Sequence, residues 1–234
     1  MIKEAIILAG GLGTRLRSVV AELPKCMASV AGNPFIYYVI KQLQNQGIEK
    51  FIFSLGYKHE VIEEYVNTHF TAIHTQFVIE HEPLGTGGAI QLACKKATEK
   101  NVLILNGDTM FSIDIQKLAT THTSSGADCT LSLKPMQHFD RYGVVELNND
   151  HTIASFKEKQ FYEQGLINGG VYALRTQRFL QEQLPEKFSF EKDYLEKYFN
   201  QRKIYGNIQD AYFIDIGIPE DYQRAQIEFK NSAL

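Results

Sequence analysis

Cysteine is scarce in this sequence. Cys26, Cys94 and Cys129 are three thiols in 234 residues, an odd number, widely spaced and without a CxxC pair. That excludes a disulfide framework and a zinc knuckle, and fits reduced thiols in a cytoplasmic protein. Basic excess is missing as well. Lys and Arg number 24 against 27 Asp and Glu, a net charge of −3. No cationic footprint for a phosphodiester backbone exists, so nucleic acid is not an expected partner. No apolar run approaches the roughly 18 residues of a membrane span. The start, MIKEAIILAGG, has a short apolar core, but Glu4 interrupts its basic flank and no Ala-x-Ala-like site follows. It reads as a first strand and not as a signal peptide, so a membrane partner is not expected either. No HExxH or HxxxH spacing occurs among the seven histidines, which removes the usual zinc signatures. Internal repeats, low-complexity segments and linkers are absent too.

What is present is ordinary for a folded chain: 44% hydrophobic and 22% charged residues. The length fits one domain over 1–234. Residues 4–9 are an apolar run stopped by Gly10-Gly11, the pattern of a buried parallel strand. Helical spacing follows over 34–46, with Pro34 in the first turn and Gly47 at the end. Further strands are predicted at 51–56, 75–80 and 101–108, and helices at 58–70, 85–98 and 114–123. This alternation predicts an α/β fold, a Rossmann-like, mostly parallel sheet with helices on both faces. The strand at 128–136 continues it. Residues 142–159 then read as a hairpin turning at Asn148-Asn149-Asp150, a small antiparallel insertion. A strand at 165–174, helices near 176–183 and 190–200, strands at 203–208 and 211–216 and a closing helix at 218–231 complete the chain.

The strongest chemical signal is LAGGLGTRLR (8–17), directly after the first strand. A Gly-rich loop there exposes backbone N–H groups that cradle phosphate oxygens. Gly10, Gly11 and Gly13 permit positive φ and close ligand approach, and Arg15 and Arg17 add charged donors. The stretch lacks the last glycine of GxGxxG, so hydride chemistry is not indicated, and no GxxxxGK[ST] loop exists. A purely structural turn is the competing reading.

LAGGLGTRLR followed by LPKCM (23–27) resembles the sugar-1-phosphate nucleotidyltransferases. The resemblance runs nearly end to end, through EPLGTGGAI (82–90), LNGD (105–108), YGVVE (142–146), FKEK (156–159), NGGVY (168–172) and DIGIPEDYQRA (215–225). It implies a GT-A-like nucleotide-diphospho-sugar transferase fold, with a nucleotide-binding half over 1–135 and a sugar-binding half over 136–234. It implies a reaction of a nucleoside triphosphate with a sugar 1-phosphate, giving a nucleotide-sugar and pyrophosphate, with Mg²⁺ as cofactor. ELPK, FSFEKDYLE (188–196) and FIDIGIPEDY (213–222) look most like the members that transfer a guanylyl group from GTP to a manno-heptose 1-phosphate for cell-surface glycan precursors. Other members, acting on mannose 1-phosphate or with other bases, remain alternatives. So do a phosphocholine-type cytidylyltransferase and a non-catalytic module on the same fold. Homo-oligomerisation is left open.

The resemblance also assigns residues. Asp108 and Asp215, each at a predicted strand end, are the expected Mg²⁺ ligands; a hard dication usually takes one or two carboxylates plus phosphate oxygens. Arg15 is expected on the β/γ-phosphates and Lys25 between the α-phosphate and the sugar phosphate, as a compact charge on a flexible stem. Leu8, Ala9, Gly10, Gly11, Gly13, Thr14, Glu80, Gly85 and Gly107 are the expected nucleotide-binding residues, with Glu80 able to accept from guanine N1–H and N2–H₂. Gly143, Glu158, Lys159 and Asn168 are the expected sugar-binding residues. For Glu80 the alternative is a solvated strand-end acid, and for FKEK a charged hairpin edge. Cys26 stands where relatives often carry Gln or Pro; it is either a thiol activated by nearby cations or a small packing residue. The C-terminal hexapeptide repeat of some relatives is missing.

Overall fold

The computed structural model describes residues 1–11 and 23–231. Its centre is set by a two-residue alternation. In β1 (Glu4–Leu8), Ala5 and Ile7 face one apolar core and Ile6 the other. The same split recurs in β4 (Lys50–Leu55), where Phe51, Phe53 and Leu55 oppose Ile52, and in β6 (Asn101–Asn106), where Leu103 and Leu105 oppose Val102 and Ile104. Successive side chains of a strand point to opposite faces, so an all-apolar strand must be covered on both.

The coverage comes from helices on each side. α1 (Phe35–Asn45), α2 (His59–His69), α4 (Ile115–Ser124) and α7 (Pro219–Asn231) pack on the first face. α3 (Gly85–Cys94), α5 (Thr176–Leu180) and a π-helical turn, Phe190–Leu195, running into α6 (Glu196–Tyr198), pack on the second.

Nine strands among the described residues form one sheet. β5 (His74–Ile79), β4, β1 and β6 are parallel neighbours. The long β11 (Tyr162–Arg175) then adds antiparallel to β6, and β8 (Cys129–Phe139) adds antiparallel to β11, with β12 (Ile204–Ile208) beside it. β9 (Val144–Leu147) and β10 (Ile153–Lys157) form the expected hairpin, attached to β11 through Ile167 and Val144. The antiparallel strands therefore extend the parallel sheet and do not form a separate layer.

Two short pairings were not legible from the sequence, although residues 213–215 fall inside the strand expected at 211–216. β2 (Ser29–Val30) pairs with β3 (Asn33–Pro34), and β7 (Thr109–Phe111) pairs with β13 (Phe213–Asp215). Runs of two or three residues carry too little periodicity to register. Three helices are shorter than expected. α3 ends at Cys94, α5 at Leu180, and the segment from 190 begins as a wider turn.

Two deeply buried polar side chains, Glu4 and His122, are paired. Glu4 accepts from the backbone N–H groups of Thr98 and Glu99 at 2.9 and 2.8 Å. His122, fully buried in α4, meets Thr130 Oγ1 at 3.0 Å and Asn101 Oδ1 at 3.3 Å. Burial, reinforced by the Arg175 charge, pushes its imidazole down to about 4. The folded state thus favours neutral His122, and the unfolded chain binds its proton near pH 6.5. The stabilisation is complete above that value and is lost as pH falls towards 4. Urea unfolding from pH 7 to 4 should show a loss of up to roughly 3 kcal/mol from this residue, and His122→Gln should flatten that part of the profile. An unchanged profile in the variant would contradict this account.

No helix among the described residues is long and apolar enough to cross a membrane.

Candidate active site

A cleft of about 800 Å³ opens where β1, β4 and β6 end. This is the edge of an α/β sheet at which ligands bind, because the strands' carboxyl ends and the loops after them converge there. Leu8, Ala9, Gly10 and Gly11 line it at and after the end of β1, Gly56 and Tyr57 after β4, Asn106 and Asp108 at and after the end of β6, and Thr109 at the start of β7. Gly10 does not take a positive φ. Its role is close approach: a Cβ there would stand 2.8 Å from Glu80 Oε1 and 3.2 Å from Gly56 N. Gly107 is not on the cleft wall. Its N–H donates to Leu8 O at 2.8 Å, and a Cβ would press on Ile7 and Ala9 at 3.3 Å. It supports the floor between Asn106 and Asp108.

The charged end of the cleft is built by the β7–β13 ribbon. Thr109 pairs with Asp215, and Ile216 N–H donates to Asp108 O at 3.1 Å. Two acids 107 positions apart thereby become neighbours. Lys25 reaches them from a 3₁₀ turn, Lys25–Met27, entered through Pro24. Its Nζ donates to Asp108 Oδ2 at 2.6 Å and lies 3.4 Å from Asp215 Oδ1. Only 12% of the lysine side chain is exposed, so this ammonium is held in place. Gly217 N–H donates to Asp215 Oδ1 at 2.8 Å. A Cβ at Gly217 would come within 2.8 Å of Lys25 Nζ; glycine keeps the approach to the charges open.

The donor set fits a hard divalent cation. Two carboxylates converge on a single positive group, and hard cations take oxygen ligands. Among the described residues no cluster of three or more acidic, His or Cys groups suits a metal. The rest of a coordination shell would have to come from a bound phosphate and water, as is usual for Mg²⁺.

The opposite wall carries Glu80, His81, Pro83, Gly85, Thr86 and Ala89. Glu80 follows β5. Ser54 Oγ donates to its Oε1 and Leu84 N–H to its Oε2, each at 3.2 Å. Burial nevertheless raises the carboxyl above the usual range. The sequence reading of a solvated strand-end acid does not hold. The glycines of GTGG mainly serve packing. Gly85 sits at φ +72°, and a Cβ there would meet Phe188 O at 2.5 Å. At Gly87 it would meet the Phe188 ring and at Gly88 the Glu186 carbonyl. The segment 186–191 lies directly against the start of α3 in the space those missing Cβ atoms leave.

The expected sugar residues are not on the wall of this cleft. Glu158 and Lys159 are exposed in the turn between β10 and β11, and Gly143 packs on the Lys157–Glu158 backbone. Asn168 is half-buried on β11; its Nδ2 donates to Tyr172 Oη at 2.8 Å and its Oδ1 accepts from Gly170 N–H at 3.0 Å. Gly170 in turn approaches Asn106 of the cleft. Gly13, Thr14 and Arg15 lie outside the described residues. Cys26 borders the cleft but is buried, and burial pushes its thiol up, away from reactivity. The packing reading of Cys26 is the one the geometry supports. Thr86, Asn106 and Gly217 were not singled out from sequence, although each lies within a quoted motif; Tyr57, just past the strand expected at 51–56, lay in none.

A cleft at the carboxyl edge of a parallel sheet, lined by glycines, two converging acids and a lysine, has the makings of a nucleotide-handling enzyme. The chain belongs to the nucleotidyl transferase family, whose profile matches residues 4–232. It is 55% identical over 228 residues to the D-glycero-alpha-D-manno-heptose 1-phosphate guanylyltransferase of Aneurinibacillus thermoaerophilus, spanning 97% of this chain and 99% of that protein. It is 46% identical to the protein of the same name from Campylobacter jejuni, over 94% of this chain and 96% of the other. Among solved structures it is similar to HddC from Yersinia pseudotuberculosis complexed with GMP-PN, with a TM-score of 0.88, 38% identity and coverage of 98% of this chain and 100% of that one. The UTP-bound UGPase of Acinetobacter baumannii shares the fold at 22% identity and a TM-score of 0.80, covering 98% of this chain and 93% of the other.

Proposed function

We propose that this nucleotidyltransferase transfers a guanylyl group from GTP to D-glycero-α-D-manno-heptose 1-phosphate, giving the nucleotide-sugar and pyrophosphate. The observation that carries the chemistry is Lys25 held between Asp108 and Asp215 at the end of the cleft. The near full-length identity to the heptose 1-phosphate guanylyltransferases supports the choice of substrates.

An oxygen of the sugar phosphate attacks the α-phosphorus of the nucleotide, the bond to the β-phosphate oxygen breaks, and pyrophosphate leaves. Such a displacement needs positioning and charge neutralisation more than covalent participation. Asp108 and Asp215 would hold a Mg²⁺ ion, which supplies charge neutralisation on the phosphates when bound. Lys25 places its ammonium beside the reacting phosphates. Arg15 is assigned to the leaving pyrophosphate on its motif. The Leu8–Gly11 backbone and the wall at Glu80 and Gly85 take the nucleoside, with Gly107 beneath them. Gly143, Glu158, Lys159 and Asn168 take the sugar phosphate.

Glu80 tests the base assignment. To accept from guanine N1–H and N2–H₂ with both oxygens at once it must be ionised. Since its folded pKa is raised, protonation on acidification begins above the ordinary Glu range. Affinity for GTP should fall as pH drops through that raised value. Glu80→Gln should weaken GTP about tenfold, remove this pH dependence and leave pyrophosphate binding unchanged, all readable by calorimetry. Equal losses for GTP and pyrophosphate would end the base-reading role.

The overall assignment is tested by pyrophosphate release over a grid of GTP, UTP, CTP, ATP and dTTP against several sugar 1-phosphates with Mg²⁺. Selective signal with GTP and the manno-heptose 1-phosphate is expected. Selective signal with another pair would replace the substrate assignment.

A further inference from the structure

We propose that Glu191 is a positioning residue that couples the two sides of the site, fixing the Asn168 carboxamide through the Tyr172 hydroxyl and pinning Thr86 on the cleft wall. The assignment of those sides to sugar and nucleotide rests on the reading above.

The argument is one of hydrogen-bond polarity. Glu191 stands in the π-helical turn docked on the start of α3. Its Oε2 accepts from Thr86 Oγ1 at 2.7 Å and from Ser189 Oγ at 3.0 Å. Its Oε1 lies 3.4 Å from Tyr172 Oη. A carboxylate only accepts, so the single Tyr172 proton is directed to Glu191. The Tyr172 oxygen is then left to accept, which it does from Asn168 Nδ2 at 2.8 Å. That places Asn168 Oδ1 on the Gly170 N–H at 3.0 Å. Each link agrees with the next, so the charge at Glu191 and the Gly170 N–H together fix which way the Asn168 amide faces. Tyr172 is 3% exposed and its ring packs edge-on against Phe190 at 5.1 Å, so no solvent competes for its hydroxyl. Burial and the Glu191 charge keep that hydroxyl protonated.

On the other side, Thr86 Oγ1 donates to Glu191 and accepts from Phe190 N–H at 2.9 Å. Both of its hydrogen-bonding functions are occupied by the segment that the GTGG glycines admit. Thr86 lines the cleft, and Asn168 stands among the expected sugar contacts. Glu191 is thus the junction of two separate chains of bonds. The sequence marks FSFEKDYLE as distinctive but assigns it no chemistry.

Tyr172→Phe removes only the hydroxyl. It should raise KM for the sugar 1-phosphate about tenfold, the scale of one lost hydrogen bond, and leave KM for GTP within about twofold. Glu191→Gln should raise both KM values, and adding Tyr172→Phe to it should raise the sugar KM no further, because the link is already broken. Effects that multiply, or a Tyr172→Phe variant that moves both KM values or neither, would overturn the coupling. The Asn168 side-chain NH₂ resonances, identified by their loss in Asn168→Asp, need no substrate. They should shift in both Glu191→Gln and Tyr172→Phe, and unshifted resonances would refute the orientation. If the wild-type enzyme turns over no sugar 1-phosphate, the functional reading fails, and these resonances still decide whether Glu191 orients Asn168.

Discussion

Asp108→Asn should lower turnover by on the order of 10²–10³-fold, the scale of removing one preorganised group that stabilises developing charge. The replacement is nearly isosteric. The β7–β13 ribbon fixes residue 108 through its backbone carbonyl, which accepts from Ile216 N–H at 3.1 Å, and the carboxylate's contact with the ribbon, from Thr109 Oγ1, is long at 3.4 Å, so the fold should be kept. Lys25 retains Asp215 as a partner at 3.4 Å. Because the Asp108 side chain is partly exposed, the stability change should stay within about 1 kcal/mol. Steady-state pyrophosphate release together with thermal unfolding separates the two effects. Near-wild-type turnover would rule out Asp108 as an essential ligand of the metal or the phosphates, and an unfolded variant would contradict the structural account of residue 108.

Lys25→Met is expected to be as severe for turnover, about 10²–10³-fold, and to carry a second signature. Methionine keeps the stem and removes the ammonium. Asp108 and Asp215 are then left facing one another without the positive charge that now lies 2.6 and 3.4 Å from them. Like charges in a partly buried cleft repel, and a cation that binds between them gains affinity. Addition of Mg²⁺ should therefore raise the melting temperature of Lys25→Met by more than it raises that of the wild type. An equal shift in both proteins would show that the ammonium and the divalent ion do not compete for the same oxygens. Turnover and metal-dependent melting are independent readings, so a purely structural role for Lys25 would be seen as a loss of stability without this difference.

Much of the fold was legible because its strands are apolar on both faces and its helices keep a regular apolar spacing. β1, β4, β6, α1 and α2 sit within one or two residues of their expected places. The β9–β10 hairpin falls on the predicted turn for the same reason: turn chemistry at Asn148–Asp150 is local. β2, β3 and β7 were missed because they are two or three residues long and exist only through their partners. Gly10 was expected to permit positive φ and close ligand approach; it takes no positive φ, and its missing side chain lets Glu80 and Gly56 pack close. Gly85 was expected on the nucleotide, at the start of a helix that also holds Gly87 and Gly88. Their close contacts come from Phe188 and Glu186, a hundred residues away.

Local chemistry and pattern, read from the sequence by itself, determined the class of fold, the glycine-rich loop, the acids at the ends of strands and the lysine after Pro24. Those features depend on neighbours along the chain. The tertiary structure decided what depends on neighbours in space. It set Asp215 beside Asp108 through the β7–β13 ribbon and placed Lys25 between them. It packed the half-buried Glu80 against Gly10 and joined Glu191 to both Thr86 and Tyr172. Each of these is a contact between residues at least nineteen positions apart. The physical reason is that periodicity reports which side of an element is apolar, while the partner met by a polar tip is fixed only when the sheet closes and the loops at its carboxyl edge converge.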